Sequence, residues 1–394
     1  ATALASWAVA AAPTFATFLV AWAVQGCYTV WLPMEIAIIH LAAGRIDAAD
    51  QPAMTRRAAA LLVFALQAGV IAGALSAGVL VTLLPLPATL ALPAVAVTAC
   101  ILAIIRFVPA SPGTSTGALD TVGIAWLTAS LLTLMAGLSL LRTDGPASPG
   151  PWLALAAALG LLVPFVGHEL RCPEPLVDIR LLTAPAQWPV QVTSGLFGVS
   201  VLGAQVPLST FARTDPAEVG YGLGLSAGQT SVIIGVYVLS LAFGALSLPT
   251  ISRLLTPRLA LVVASALVGT GYLLFLPFHA SLAQTMTNMT LAGLGSGLLV
   301  AALPAAATAS TAPGRAGMAA GLTNATRTVG GAVASALFGV ALFRGVSGQT
   351  VVDGSTAAPL SGYLTVWFLC GATALICAAI LAAVVPRTAF TRAS

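Results

Sequence analysis

The sequence predicts an all-α, polytopic membrane protein, and three observations carry that prediction. Charged residues make up 7% of the 394 positions and hydrophobic ones 59%, whereas a soluble domain carries roughly 25% charged residues. Uncharged apolar runs of about eighteen residues or more, long enough for a helix to cross a bilayer, recur along nearly the whole chain. The mean hydropathy is +1.02, and the short alternating segments that build a transmembrane β-barrel are missing.

The elements follow in order. Ala1 to Ala12 reads as the tail of a helix, and Pro13 to Ile39 as a full span. A polar loop with Arg45, Arg56 and Arg57 leads into Ala58 to Leu84, an uncharged span. Pro85 and Pro87 punctuate a turn before Ala88 to Val108. The stretch PASPGTSTGAL is a candidate boundary between halves. Asp120 to Leu141 and Trp152 to Val166 are two further spans, joined by the turn-rich RTDGPASPGP. The polar segment HELRCPEPLVDIRLL follows, suited to the membrane surface. Gln187 to Phe211, Ser226 to Leu248, Leu259 to Pro277, Leu282 to Thr308, Gly317 to Phe343 and Tyr363 to Val385 complete eleven spans and one remnant.

Charge placement supports this count. All 15 basic residues are Arg. With the loop of Arg45, Arg56 and Arg57 inside, eleven fall in inner loops and only Arg142, Arg213 and Arg344 in outer ones. Such a positive-inside bias puts the C-terminus in the cytoplasm of a plasma-membrane protein. The net charge of +4 is therefore an orientation signal, and no basic run points to nucleic acid.

Within Ala58 to Leu84, Ala65, Gly69, Gly73 and Ala77 are spaced four apart, with Ala74 and Gly78 widening the same smooth face. Such a face lets another helix approach backbone to backbone. The order Gly69-x-x-x-Gly73-Ala74-x-x-Ala77-Gly78 resembles the antiporter motif of the major facilitator superfamily. The resemblance extends to the Asp120-Thr-Val-Gly start, the small-residue run from Gly293 to Gly297, and RAGMAAGLTNATRTVGGAVASALFGVALF from Arg315 to Phe343. Together these are similar to the fourteen-helix drug:proton antiporter branch of that superfamily.

The resemblance implies two six-helix bundles with two extra central helices, Asp120–Leu141 and Trp152–Val166. It divides the chain into an incomplete N-terminal bundle (1–108), the extra helices with a cytoplasmic loop (109–185) and a C-terminal six-helix bundle (186–394). The first two to three helices of the pattern would precede Ala1. Two positions depart from the family: Trp22 stands where it usually carries an intramembrane Arg, and Arg253 where its second loop motif expects an acid.

Ionisable groups inside spans are costly, and a functional role is their default reading. Glu35 lies within an apolar run and is a proton-coupling candidate; the competing reading places it at headgroup water or beside an Arg. Arg327, one helical turn from Asn324 and Thr323, is the second such candidate. It would meet an anionic group on a substrate, pair with an acid such as Glu35, or snorkel to the surface. Gln187, Gln191, Ser194 and Gln205 put polar groups along one span, where they bond neighbouring helices or line a water-filled path. With Trp22, Gln25, Tyr28, Asn288 and Asn324 they form the substrate-path set. The aromatic members suit large apolar or cationic compounds.

The five cysteines and three histidines show no metal or redox spacing, so the sequence points to no metal and no cofactor. No GxxxxGK[ST] is present for ATP, and no intramembrane catalytic dyad is visible, so an enzyme is not expected. The expected function is secondary active transport: proton-coupled efflux of drug-like or other small organic compounds by alternating access. The expected partners are the lipid bilayer, the substrate and protons. The alternative is a truncated or degenerate homologue that does not transport.

Overall fold

The computed structural model describes residues 1–107, 120–203, 205–311, 315–343, 350–351, 355–356, 358–386 and 390. Of residues 74–75, 77–79, 81–82, 181, 202–203, 205–206, 227, 343, 350–351 and 355–356 it describes the backbone alone. The side chains of Ala74, Ala77, Gly78 and Gln205, and the boundary stretch 109–119, thus lie outside what is described.

Among the described residues the regular structure is helical apart from one small antiparallel ladder. The helices are α1 (Thr2–Ala10), α2 (Phe15–Gln25), α3 (Trp31–Ile46), α4 (Gln51–Leu83), α5 (Leu86–Phe107), α6 (Thr121–Thr143), α7 (Pro149–Glu169), α8 (Ile179–Leu182), α9 (Trp188–Gly203), α10 (Gln205–Arg213), α11 (Pro216–Val219), α12 (Ala227–Leu254), α13 (Pro257–Leu273), α14 (Leu282–Ala309), α15 (Ala316–Phe343) and α16 (Leu360–Val384). A 3₁₀ turn over Gly26–Val30 joins α2 to α3, so Phe15–Ile46 runs as one spanning stretch. The strands β1 (Thr350–Val351) and β2 (Ser355–Thr356) pair Thr350 with Thr356 and Val351 with Ser355.

Nine helices among the described residues are long and apolar enough to cross a membrane. One expected span differs. Leu259 to Pro277 contains α13, only 17 residues long, followed by turns. Gln187 to Phe211 is described as helix on both sides of residue 204, over α9 and α10. Arg56 and Arg57, expected in a loop, lie in the first turns of α4. Asp47 sets that boundary: its Oδ1 accepts the N–H groups of Ala49 and Asp50, and the helix begins at Gln51. An apolar run marks the depth of lipid, whereas the cap marks the end of the helix.

The chain forms two compact units. The first comprises Ala1–Leu32 and Ala68–Ala118. Here α1 packs on α2 and α5. Gln25 Nε2 donates to Ser6 Oγ at 2.9 Å, and Trp7 Nε1 donates to Thr98 Oγ1 at 3.1 Å. A Cβ built on Gly69 or Gly73 would meet no atom within 4 Å.

The second unit comprises Pro33–Gln67 and Leu119–Ser394. Its centre is α14, buried along most of its length, with α12, α13 and α15 packed around it. The glycine run makes this possible. A Cβ on Gly293 or Gly297 would collide with the backbone of α12 at Tyr237 or Leu241, and one on Gly295 with the Ala264 carbonyl of α13. Two neighbouring helices therefore approach α14 along different faces of one short run, where dispersion and close backbone contact hold helices together without a hydrophobic drive. The capping boxes at Ser226 and Ser281 fix the starts of α12 and α14.

Candidate functional site

The polar residues of α9 meet α15 in the second unit. Gly198 of α9 and Gly330 of α15 bring the two helices together: a Cβ on either would strike the partner backbone, at Arg327 and at Gly195 respectively. At this separation side chains reach carbonyl groups across the seam. Ser194 Oγ donates to the Thr323 carbonyl at 2.5 Å, and Gln191 Nε2 to that of Ala319 at 3.3 Å. Thr326 Oγ1 reaches Gln191 Oε1 at 3.5 Å. Before the first turn of α9, Gln187 Nε2 donates to the Ala307 carbonyl at 2.7 Å, with the hydroxyls of Ser310 and Thr311 at 2.9 and 2.6 Å. Gln187, Gln191 and Ser194 are all buried.

One turn further along α15, the Arg327 guanidinium donates to Asn324 Oδ1 of the same helix. Arg327 is half-buried, and its backbone carbonyl lies against Gly198. Glu35 projects from α3 with its side chain exposed, beside the buried Ile36 and Ala37. The ion pairs recorded among the described residues, His168–Asp120 and Arg315–Asp178, include neither Glu35 nor Arg327. Asn288 is buried in α14 and donates to the Phe278 carbonyl at 2.8 Å, tying the α13–α14 connection to the helix that follows it.

The expected aromatic residues stand in the first unit. Trp22 stacks on Phe18, and Phe18 on Phe15, with centroids 6.4 Å apart at each step. Trp22 and Tyr28 are exposed, at 60% and 57%; they present surface to lipid or to an opening. Gln25 is already bonded to Ser6.

Two groupings were not visible in the sequence. One is an aromatic cluster in the second unit. Phe211 packs edge-on against Tyr363 and Trp367 at 5.3 and 5.0 Å, and Phe275 stacks on Trp367 at 4.5 Å. Tyr221 joins it and donates to the Ala358 carbonyl at 2.5 Å. Burial, and then the neighbouring Tyr363, push the Tyr221 phenol above its ordinary range. The signal was dispersed over four sequence segments.

The other grouping gathers Asp120, His168, Glu169 and Cys172 where α6 begins and α7 ends. Asp120 caps α6, accepting the Gly123 N–H at 2.8 Å, and His168 Nε2 meets the same Oδ1 at 2.8 Å. The Gly123 N–H, and to a lesser degree the His168 imidazole, hold the Asp120 carboxyl below the usual carboxylate range against the opposing effect of burial. The sequence singled out no metal set, yet the fold brings one donor atom each of Asp120, His168 and Cys172 within 4.8 Å of one another.

A multi-span helical membrane protein with a glycine-lined core and a polar α9–α15 seam is the class that this fold and site define. No protein-family model matches the sequence. The chain is 30% identical over 251 residues to the cephamycin export protein CmcT of Amycolatopsis lactamdurans, a match covering 62% of this chain and 49% of that protein. It thus spans about half the length of the curated relative it matches. Among solved structures, its fold resembles that of the human organic anion transporter MFSD10 (TETRAN), with a TM-score of 0.64 at 16% identity, covering 96% of this chain and 74% of the other.

Proposed function

We propose that the whole protein is a secondary active exporter of small organic compounds, in the manner of the fourteen-helix drug:proton antiporters, working by alternating access in the plasma membrane with its C-terminus in the cytoplasm. The observation that carries this reading is the 30% identity to a protein named for cephamycin export. Gln187, Gln191, Ser194, Gln205, Asn288 and Asn324, with Trp22, Gln25 and Tyr28, form the substrate path.

Arg327 meets an anionic group of the substrate. A half-buried guanidinium whose partner is a neutral amide keeps its charge available for a carboxylate, which it grips as a planar fork. Glu35 carries the proton, because an exposed carboxyl within a spanning stretch faces either lipid or a water-filled opening, and lipid excludes its charged form. Gly69 and Gly73, with Ala74, Ala77 and Gly78, form the face on which the motif helix slides.

Reconstituted full-length protein tests the reading. An imposed proton gradient should drive substrate uphill in liposomes, and Glu35→Gln should abolish that drive while leaving substrate binding intact. A folded, complete protein that moves neither substrate nor protons would identify a non-transporting homologue.

A further inference from the structure

At the end of the α6–α7 hairpin, two buried carboxylate oxygens have no hydrogen-bond partner: Asp120 Oδ2 and Glu169 Oε1. Glu169 is 3% exposed, and its other oxygen accepts the Val177 N–H at 3.0 Å. Both orphaned oxygens converge on one small volume, since a Cβ on Gly123 would collide with each of them. Two carboxylates brought together out of water repel unless a shared proton or a cation lies between them. His168 and Cys172 each bring a donor atom within 4.8 Å of the other's and of an Asp120 oxygen, and Glu169, outside that group of three, reaches the Asp120 carboxyl from the Gly123 side. A cavity of about 330 Å³, lined by Glu169 and Cys172 with Asp178, Arg180 and Arg315, opens beside them.

We propose that Asp120, His168, Cys172 and Glu169 form a binding site for a divalent transition-metal cation of the zinc class. The donor set of one imidazole nitrogen, one thiolate and two carboxylate oxygens suits a borderline-soft ion with tetrahedral preference and does not suit magnesium or calcium, which take oxygen alone. Zinc holds nitrogen and oxygen at about 2.0 Å and sulfur at about 2.3 Å, so its ligand atoms lie roughly 3–4 Å apart. The donors of Asp120, His168 and Cys172 close to that size by drawing in about one ångström. The movement is available because His168 lies in the last turn of α7 and Cys172 in the segment just beyond it. The Val177 N–H orients Glu169 from outside, as hydrogen-bond donors behind a metal ligand commonly do. The cation would tie the first turn of α6 to the last turn of α7 and to the following segment. Cys172 and His168 ligate in their deprotonated forms and release their protons to solvent.

Cobalt(II), added to chelator-treated full-length protein in detergent, reads the site directly. We expect one cobalt per chain and a thiolate-to-cobalt charge-transfer band in the near ultraviolet. Cys172→Ser should remove the band, and Cys27→Ser should leave it. Asp120→Asn and His168→Gln should each weaken binding at least tenfold. Zinc should displace the cobalt and raise the melting temperature of the native chain but not that of Cys172→Ser. That variant changes a partly exposed residue outside any helix and keeps the fold. Failure to bind cobalt, binding without the thiolate band, or a band that survives Cys172→Ser would each overturn the proposal.

Discussion

Single residues in this protein are constrained chiefly by how close another backbone lies. Gly330 and Gly321 share α15, yet a Cβ on Gly330 would strike the Gly195 carbonyl whereas one on Gly321 meets nothing within 4 Å. Gly330→Ala should therefore destabilise by about 1–3 kcal/mol through overpacking. Gly321→Ala should stabilise by up to about 1 kcal/mol through helix propensity. Thermal unfolding in detergent compares the two, and equal shifts would contradict the close α9–α15 approach. Tyr221 gives a second expectation at this scale. Its phenol is held above the ordinary tyrosine value of about 10. The raised folded-state value means that its contribution is fully present below pH 10 and is lost as pH rises beyond it, because the unfolded chain ionises first. The melting temperature of the native protein should fall more steeply between pH 9 and about pH 11 than that of Tyr221→Phe.

At the scale of elements, the α9–α15 seam depends on side chains bonded to backbone, and each should be worth little alone. Ser194→Ala should cost about 0.6 kcal/mol, the typical value for a hydrogen bond between membrane helices. Gln187→Leu should cost more, up to about 2 kcal/mol, because three acceptors lose one donor group. Melting temperatures of the two variants check the order. This seam also shows what was legible beforehand. That Gln187, Gln191 and Ser194 share a face follows from helical periodicity, and the apolar runs located most of the spans. Their partners on α14 and α15 could not be read, because the facing positions are small residues and carbonyl groups that every sequence possesses. The cluster at Asp120 was hidden for a related reason. Asp120 and His168 are 48 positions apart, and only the hairpin return of α7 along α6 brings them together. The ends of α4 and α13 were misjudged because hydropathy does not record where caps and turns stop a helix.

At the scale of the whole molecule, orientation is the property that sequence alone argues and an experiment can settle. From the arginine asymmetry we propose that the α3–α4 loop, the segment after α7 and the C-terminus lie on one side of the membrane, the cytoplasm. Cys172 is suited to the test, being partly exposed and outside the spanning helices, whereas Cys370 and Cys377 are buried within α16. With Cys27 and Cys100 replaced by Ser, a membrane-impermeant maleimide should label Cys172 in inside-out vesicles and fail to label it in intact cells. A cysteine placed at Asp144, in the α6–α7 turn, should label from the opposite side, since α7 crosses once between these points. The paired result tests the α7 crossing together with the direction of the chain. Labelling of both positions from one side would mean that α7 does not cross, and would remove the two extra helices from the transport scheme. Reversed labelling would keep the helices but invert the direction in which export must be assayed.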